Sequence, residues 1–222
     1  MAGGFCSVQL LGIGAVLLWL ALVVTLALAV RRLWPAWREW SRKIVHIGSG
    51  PVVLIAWGFG LSRLIALPAA ALVTLLAALN HRHRLLPAIE DVGRRSYGTV
   101  AYGASITLLL ALLWPQRADA VCAGVLVMAV GDGLAGLLGP LLPSSSWQVL
   151  GERRSLLGTG TMAVASFGVL AALATGMPAT APPWPSLMAI ALLATALEQI
   201  AVGGLDNLTV PLVVAWGWIQ IG

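Results

Sequence analysis

Charge is what this sequence has least of. Only 9% of its 222 residues are Asp, Glu, Lys or Arg, against about a quarter in a soluble domain. That scarcity excludes an ordinary soluble fold. Its two cysteines, Cys6 and Cys122, have neither metal spacing nor a disulfide framework, so both are expected to be plain buried residues. Strict apolar–polar alternation is missing as well, which excludes a membrane β-barrel. No basic residue precedes the first apolar run, since Met1–Leu10 carries no charge, and Arg31 and Arg32 follow it. A cleaved signal peptide has the opposite arrangement, so this run is expected to be a retained first span. No fixed-period repeat or low-complexity tail is seen. The formal net charge of +5 sits beside apolar runs, so membrane topology accounts for it and nucleic acid is not an expected partner.

What is present is hydrophobic sequence in long blocks. Hydrophobic residues make up 59% of the chain, and Leu11 to Val30 is twenty residues without a charge, enough to cross about 30 Å of hydrocarbon as a helix. In lipid the backbone must satisfy its own hydrogen bonds, so such blocks are helices. Eight candidate spans lie near 10–30, 43–60, 63–80, 97–115, 119–140, 158–176, 186–203 and 207–221. The last two are the least distinct, because Gly203, Gly204 and Asp206 interrupt one apolar stretch. The expected fold is an all-α integral membrane protein: one polytopic domain over residues 1–222, a bundle of seven or eight transmembrane helices.

Basic residues orient the bundle. Arg31, Arg32, Arg38, Arg42 and Lys43 follow span one; Arg82, Arg84, Arg94 and Arg95 follow span three; Arg153 and Arg154 follow span five. The other side holds Arg63 and Arg117. The richer side is expected to be cytoplasmic, with both termini outside. Between spans one and two, Trp34, Trp37 and Trp40 recur among arginines, so residues 31–43 are expected to form an amphipathic segment in the headgroup layer. His81 and His83, alternating with Arg82 and Arg84, read as a solvated loop.

Ionisable groups inside spans are costly and mark function. Asp132 in span five, roughly 10 Å from its cytoplasmic end by helical rise, is joined on the same side by Glu198, Asp206, Asn207 and His46. Spans two, six and eight begin there, and helix starts favour anions. Arg42 and Lys43 at one of these starts read either as positive-inside residues or as phosphate ligands, whereas Arg153 and Arg154, with Ser155, Gly158, Thr159 and Gly160 allowing close backbone approach, are expected to bind phosphate. In Gly131-Asp132-Gly133, the carboxylate suits Mg²⁺, which takes one or two carboxylates plus phosphate oxygens; the glycines there, with Gly136 and Gly139, suit either helix packing or phosphate approach. Asp206 is open between second metal ligand and helix N-cap. His46 shares a helix face with Arg42 and Lys43 and is a candidate to orient phosphate or accept an alcohol proton.

Five segments, in order, resemble the motifs of phytol kinases and the related dolichol kinases: Ser41-Arg42-Lys43-Ile44-Val45-His46-Ile47-Gly48, Gly93-Arg94-Arg95-Ser96-Tyr97-Gly98-Thr99, Gly131-Asp132-Gly133 with Gly139, Arg153-Arg154-Ser155-Leu156-Leu157-Gly158-Thr159, and Asp206-Asn207-Leu208-Thr209-Val210-Pro211. The resemblance covers residues 38 to 215 or so. It implies a CTP-dependent kinase acting on isoprenoid alcohols, phytol being the expected one, with Mg²⁺ held by Asp132 and Asp206 and supported by Asn207, a triphosphate on Arg42, Lys43, Arg153, Arg154, Ser155, Gly158, Thr159, Gly131 and Gly133, and His46 or Asp132 as proton acceptor. Two rivals are a cytidylyltransferase that forms a CDP-lipid and a non-enzymatic transporter, and a third alternative is a family member that binds lipid but has lost activity. The sequence departs from the family at Leu157, where a glutamate is usual, and at Arg153 and Arg154, where lysine is usual.

Overall fold

A computed structural model of the chain describes residues 2–36, 38–83 and 97–221. It is 79% helical with almost no sheet, so the all-α expectation stands. In chain order the elements are α1 (Ala2–Leu33), α2 (Arg38–Ser49), α3 (Val52–Gly58), α4 (Arg63–His83), α5 (Gly98–Leu113), α6 (Ala118–Leu138), strands β1 (Ser146–Val149) and β2 (Glu152–Ser155), α7 (Leu156–Gly176), α8 (Trp184–Ile200) and α9 (Asp206–Ile221). Arg84, Arg94, Arg95, Trp37 and the Gly93–Ser96 part of the second motif lie outside the described residues.

Length and composition qualify four of these helices to cross a membrane: Cys6–Leu33, Arg63–His83, Ala118–Leu138 and Leu156–Gly176. The outer surface matches, with Leu18, Leu64, Val164 and Trp216 each more than 60% exposed, a display of apolar side chains that belongs in lipid. Helices α5, α8 and α9 are apolar but shorter. The span expected at 43–60 is broken. Pro51 has no N–H to give to the Ile47 carbonyl, which accepts instead from Gly50 N at 3.1 Å, and the chain restarts as α3.

Three further expectations change. Residues 31–43 are not one piece: Arg31–Leu33 complete α1, a turn follows at Pro35, and Arg38–Lys43 open α2, because the residue before a proline is driven out of helical geometry. His81 and His83 lie in the last turn of α4 and not in a loop, with the His81 ring 4.5 Å from that of Tyr97. Cys122 is buried as expected, but Cys6 is exposed on α1.

Helix α6 is the axis of the bundle. Ala120, Val121, Cys122, Ala123, Val125, Val127, Met128 and Ala129 are each 0% exposed, the mark of a helix surrounded on all sides. It packs against α3, α5, α7 and α9, and its second half meets α2. Its middle widens into a π-turn over Val127–Asp132, a local departure that recurs at functional sites. Helix α1 lies at the periphery on α2, where the Trp19 indole donates to the Gly48 carbonyl at 2.7 Å.

The connection from α6 to α7 is an antiparallel hairpin that was expected as a loop. Val149 pairs with Glu152 around Leu150 and Gly151, whose φ values of 50° and 86° are those of a tight two-residue turn. Helices α8 and α9 are separated by a turn through Gly203 and Gly204, with φ of 63° and 88°; its Gly203 carbonyl accepts from Tyr97 N at the start of α5.

The crossing of α6 and α9 rests on Gly124, where a Cβ would collide with the Pro211 carbonyl oxygen, a backbone atom. Gly124→Val should therefore cost about 1–3 kcal/mol through overpacking, seen as a lower Tm in detergent. Gly168→Ala, with nothing within 4 Å of the new methyl, should leave Tm unchanged or slightly higher.

Candidate active site

Helix α2 carries Lys43 and His46 three residues apart, so both reach α6 from one face. The Lys43 ammonium, only 5% exposed as a residue, donates to Asp132 Oδ2 at 2.7 Å and to the Asp132 carbonyl at 3.1 Å. His46 Nε2 lies 3.3 Å from the same Oδ2 and 3.2 Å from the Met128 carbonyl, and its ring rests 4.5 Å from Tyr102. Asp132 ends the π-turn and thus stands where α6 resumes its ordinary pitch.

The surrounding glycines are explained by this packing. A Cβ on Gly136 would lie 2.6 Å from Lys43 Nζ. Gly139 stands against Ser155 Oγ, which a Cβ would approach to 3.2 Å. At Gly131 a Cβ would meet Met162 Sδ and Ser166 Oγ, both at 2.8 Å, and at Gly133 it would collide with the Ile47 side chain. Gly131 and Gly133 are thus packed closely against α7 and α2, where a Cβ would meet their side chains, which accounts for glycine at both positions by helix packing.

Two more carboxylates converge on Asp132. One oxygen each from Asp132, Glu198 and Asp206 lie within 4.8 Å of one another. Glu198 and Asp206 come from opposite sides of the 201–205 turn, which folds the end of α8 against the start of α9. Asn207 Nδ2 donates to Asp206 Oδ1 at 3.1 Å, so Asn207 holds that carboxylate in place. Glu198 is ion-paired with Arg154 through Oε1 and accepts from Gln199 Nε2 through Oε2 at 2.7 Å. Arg154 also donates to the Ala201 carbonyl at 2.8 Å.

Strand geometry separates the two arginines. Successive side chains point to opposite faces, so Arg154 turns inward to Glu198 while Arg153 is exposed and donates to Ser146 Oγ at 3.3 Å. Arg42 pairs with Glu39 on the open side of α2 at 3.0 Å. Neither Arg42 nor Arg153 reaches the carboxylates. Ser155 accepts from Gly158 N at 3.1 Å as the N-cap of α7, and Thr159 Oγ1 donates back to the Ser155 carbonyl at 2.9 Å. The structure thus assembles Lys43, His46, Asp132, Arg154, Glu198, Asp206 and Asn207, with Ser155 and Gly139 at the margin.

Glu198 is the residue that sequence reasoning left without a role. Its signal was a carboxylate inside a span; its partners were hidden because Arg154 lies 44 residues away. The ionisable groups also do not all fall at one end. Asp119, 4% exposed at the other end of α6, is held by Arg117 at 3.1 Å and the Trp218 indole at 2.9 Å, and this satisfied cluster ties α6 to α9.

The donor set fits a hard divalent cation. Three carboxylate oxygens are gathered in a mostly buried place, and Mg²⁺ prefers oxygen ligands. The three acidic groups face two basic side chains, Lys43 and Arg154, so an added cation would relieve the crowding of acidic oxygens.

No family model matches the chain, and no solved structure matches it. The phytol kinase of Synechocystis sp. is 39% identical over 211 residues, which cover 93% of this chain and 91% of that protein. Identity at this level over almost the full length of both proteins is family membership: the chain belongs to the phytol kinase family.

Proposed function

We propose that this protein transfers the γ-phosphate of CTP to an isoprenoid alcohol, phytol foremost, at the cytoplasmic face of a membrane. The observation that carries the reading is the meeting of Asp132, Glu198 and Asp206 beside Lys43, His46 and Arg154 within an apolar bundle. The relative from Synechocystis sp. supports the alcohol and its chemistry by its name.

Mg²⁺ bound by the three carboxylates would neutralise the charge of the transferring phosphoryl group, most of what such a reaction asks of a protein. Asn207 orients Asp206 for that role. The Met128 carbonyl only accepts, so the hydrogen of His46 sits on Nε2 and Nδ1 keeps its lone pair. Asp132 is occupied by Lys43 and His46, which makes His46 Nδ1 the better proton acceptor. The alcohol oxygen forms a bond to the γ-phosphorus, its proton passes to Nδ1, and the bond to the β-phosphate oxygen breaks to release CDP. Arg154 and the capped start of α7 lie where the phosphates would rest.

Around this site the chain forms one membrane-embedded unit of eight crossings, four as long unbroken helices and the rest shorter or bent at Pro51. On this reading the basic loops lie in the cytoplasm together with the site, and both termini lie outside.

Purified protein given phytol, Mg²⁺ and γ-labelled CTP should yield labelled phytyl phosphate and CDP; release of pyrophosphate would instead identify a CDP-lipid-forming enzyme. Asp132→Asn should abolish transfer, and normal turnover in that variant would sink the site. Glu198→Gln and Asp206→Asn should each raise the Mg²⁺ concentration needed for half-maximal rate, by on the order of 10–100-fold; an unchanged Mg²⁺ dependence would remove that residue from the metal site. A reporter fused after residue 222 that is active only outside the cytoplasm should be active, and a silent one would reject the topology.

A further inference from the structure

Glu198 has a conflict built into it. One of its oxygens belongs to the three-carboxylate group, yet both oxygens already have partners, Oε1 with the Arg154 guanidinium and Oε2 with Gln199. A cation entering that group must therefore take an oxygen from one of them. Gln199 is neutral and adjacent on the same helix. Arg154 is a cation from another element, so it and a divalent ion compete for one carboxylate and repel each other across it.

The guanidinium is also incompletely satisfied. Nη1 pairs with Glu198 and Nη2 with the Ala201 carbonyl, but Nε is buried and, among the described residues, has no hydrogen-bond partner. An unused, desolvated N–H beside a planar fork is a donor arrangement suited to a phosphate, which takes two parallel hydrogen bonds from arginine. Arg154 immediately precedes Ser155, the cap of α7, so a small withdrawal from Glu198 leaves it at a helix N-terminus that favours anions.

We propose that Arg154 is an exchangeable counter-ion: it guards Glu198 while the carboxylate group is empty, yields it to the incoming divalent cation, and then clamps the phosphate that arrives with or after the metal. This rests on the metal reading of the three carboxylates. It makes Arg154 a positioning residue that couples metal and nucleotide, and it gives the hairpin a purpose. The strand carries Arg154 as a short tether to α8, one that releases when the charge it neutralises is taken over.

The test uses the full chain in detergent with Mn²⁺ as the probe, free Mn²⁺ being read by electron paramagnetic resonance. Wild-type protein should bind Mn²⁺ in a manner lost in Asp132→Asn, and Arg154→Ala, without the competitor, should bind Mn²⁺ about 10-fold more tightly. The same variant should lose most of its affinity for tripolyphosphate in the presence of Mn²⁺. Carboxylate-dependent Mn²⁺ binding that is unchanged or weaker in Arg154→Ala overturns the exchange and leaves the metal site standing. Mn²⁺ binding that does not depend on Asp132 overturns both. A second measurement needs no variant. In wild-type protein, Mn²⁺ alone should speed hydrogen–deuterium exchange in residues 146–155 by releasing the tether, and added tripolyphosphate should slow it again. An unchanged or slowed hairpin at saturating Mn²⁺ overturns the exchange even if Arg154→Ala fails to fold.

Discussion

The contact on which the rest of the site depends is the ion pair between Lys43 and Asp132. Lys43 is the sole lysine of the sequence, and its side chain is 6% exposed where it meets the carboxylate at 2.7 Å. Taking an ammonium and a carboxylate out of water costs several kcal/mol per ion in real proteins, so a pair of this kind is weak as a source of stability and strong as a constraint. Each charge is intolerable without the other, which fixes α2 against α6 in one register. That register forces the glycine at 136, where any side chain would displace the ammonium. It also brings His46 within reach of the same oxygen.

A charge count then links the pair to chemistry. Asp132, Glu198 and Asp206 are three acidic groups set against two basic ones, Lys43 and Arg154. A divalent cation held by the carboxylates would shift that balance toward positive charge and favour an anion beside it. The bundle exposes Leu, Val and Trp on its outer surface, so the proposed reaction of a phosphate donor with an apolar alcohol would bring the charged cluster and that apolar surface into use together.

Much of the architecture was legible in the sequence because the bilayer permits so few solutions. Uncharged runs such as Leu11 to Val30 can only be helices in lipid, and the ends of α5 through α9 fall within a few residues of the apolar boundaries. What escaped was set by single residues or by distant contacts. Pro51 cuts a span because one missing N–H frees one carbonyl, and hydropathy does not register that. The hairpin turns on Leu150-Gly151, a dipeptide without the usual turn signature. Without the hairpin, Arg153 and Arg154 read as equivalent; on a strand they face opposite ways. Asp132 and Asp206 stand out in the sequence because a carboxylate in a span demands a reason, whereas the meeting of Glu198 with them depends on a turn that brings α8 and α9 together.

Leu157 shows why motif and geometry must be weighed separately. The family resemblance leads one to expect a glutamate there, and its loss suggests a damaged site. In the structure, position 157 lies in the first turn of α7 and its backbone N–H is 3.5 Å from Ser144 Oγ. The cap of that helix is made by Ser155 to Gly158 N and uses no side chain from residue 157. Among the described residues, the carboxylate group draws its three members from α6, α8 and α9 and includes none from α7. A fourth carboxylate at the same end would add negative charge to a cluster already in excess of its cations. Leucine at 157 therefore goes with an intact cap at the start of α7 and with the gathering of side chains around Asp132, and the chemistry proposed for this chain is routed through residues other than 157.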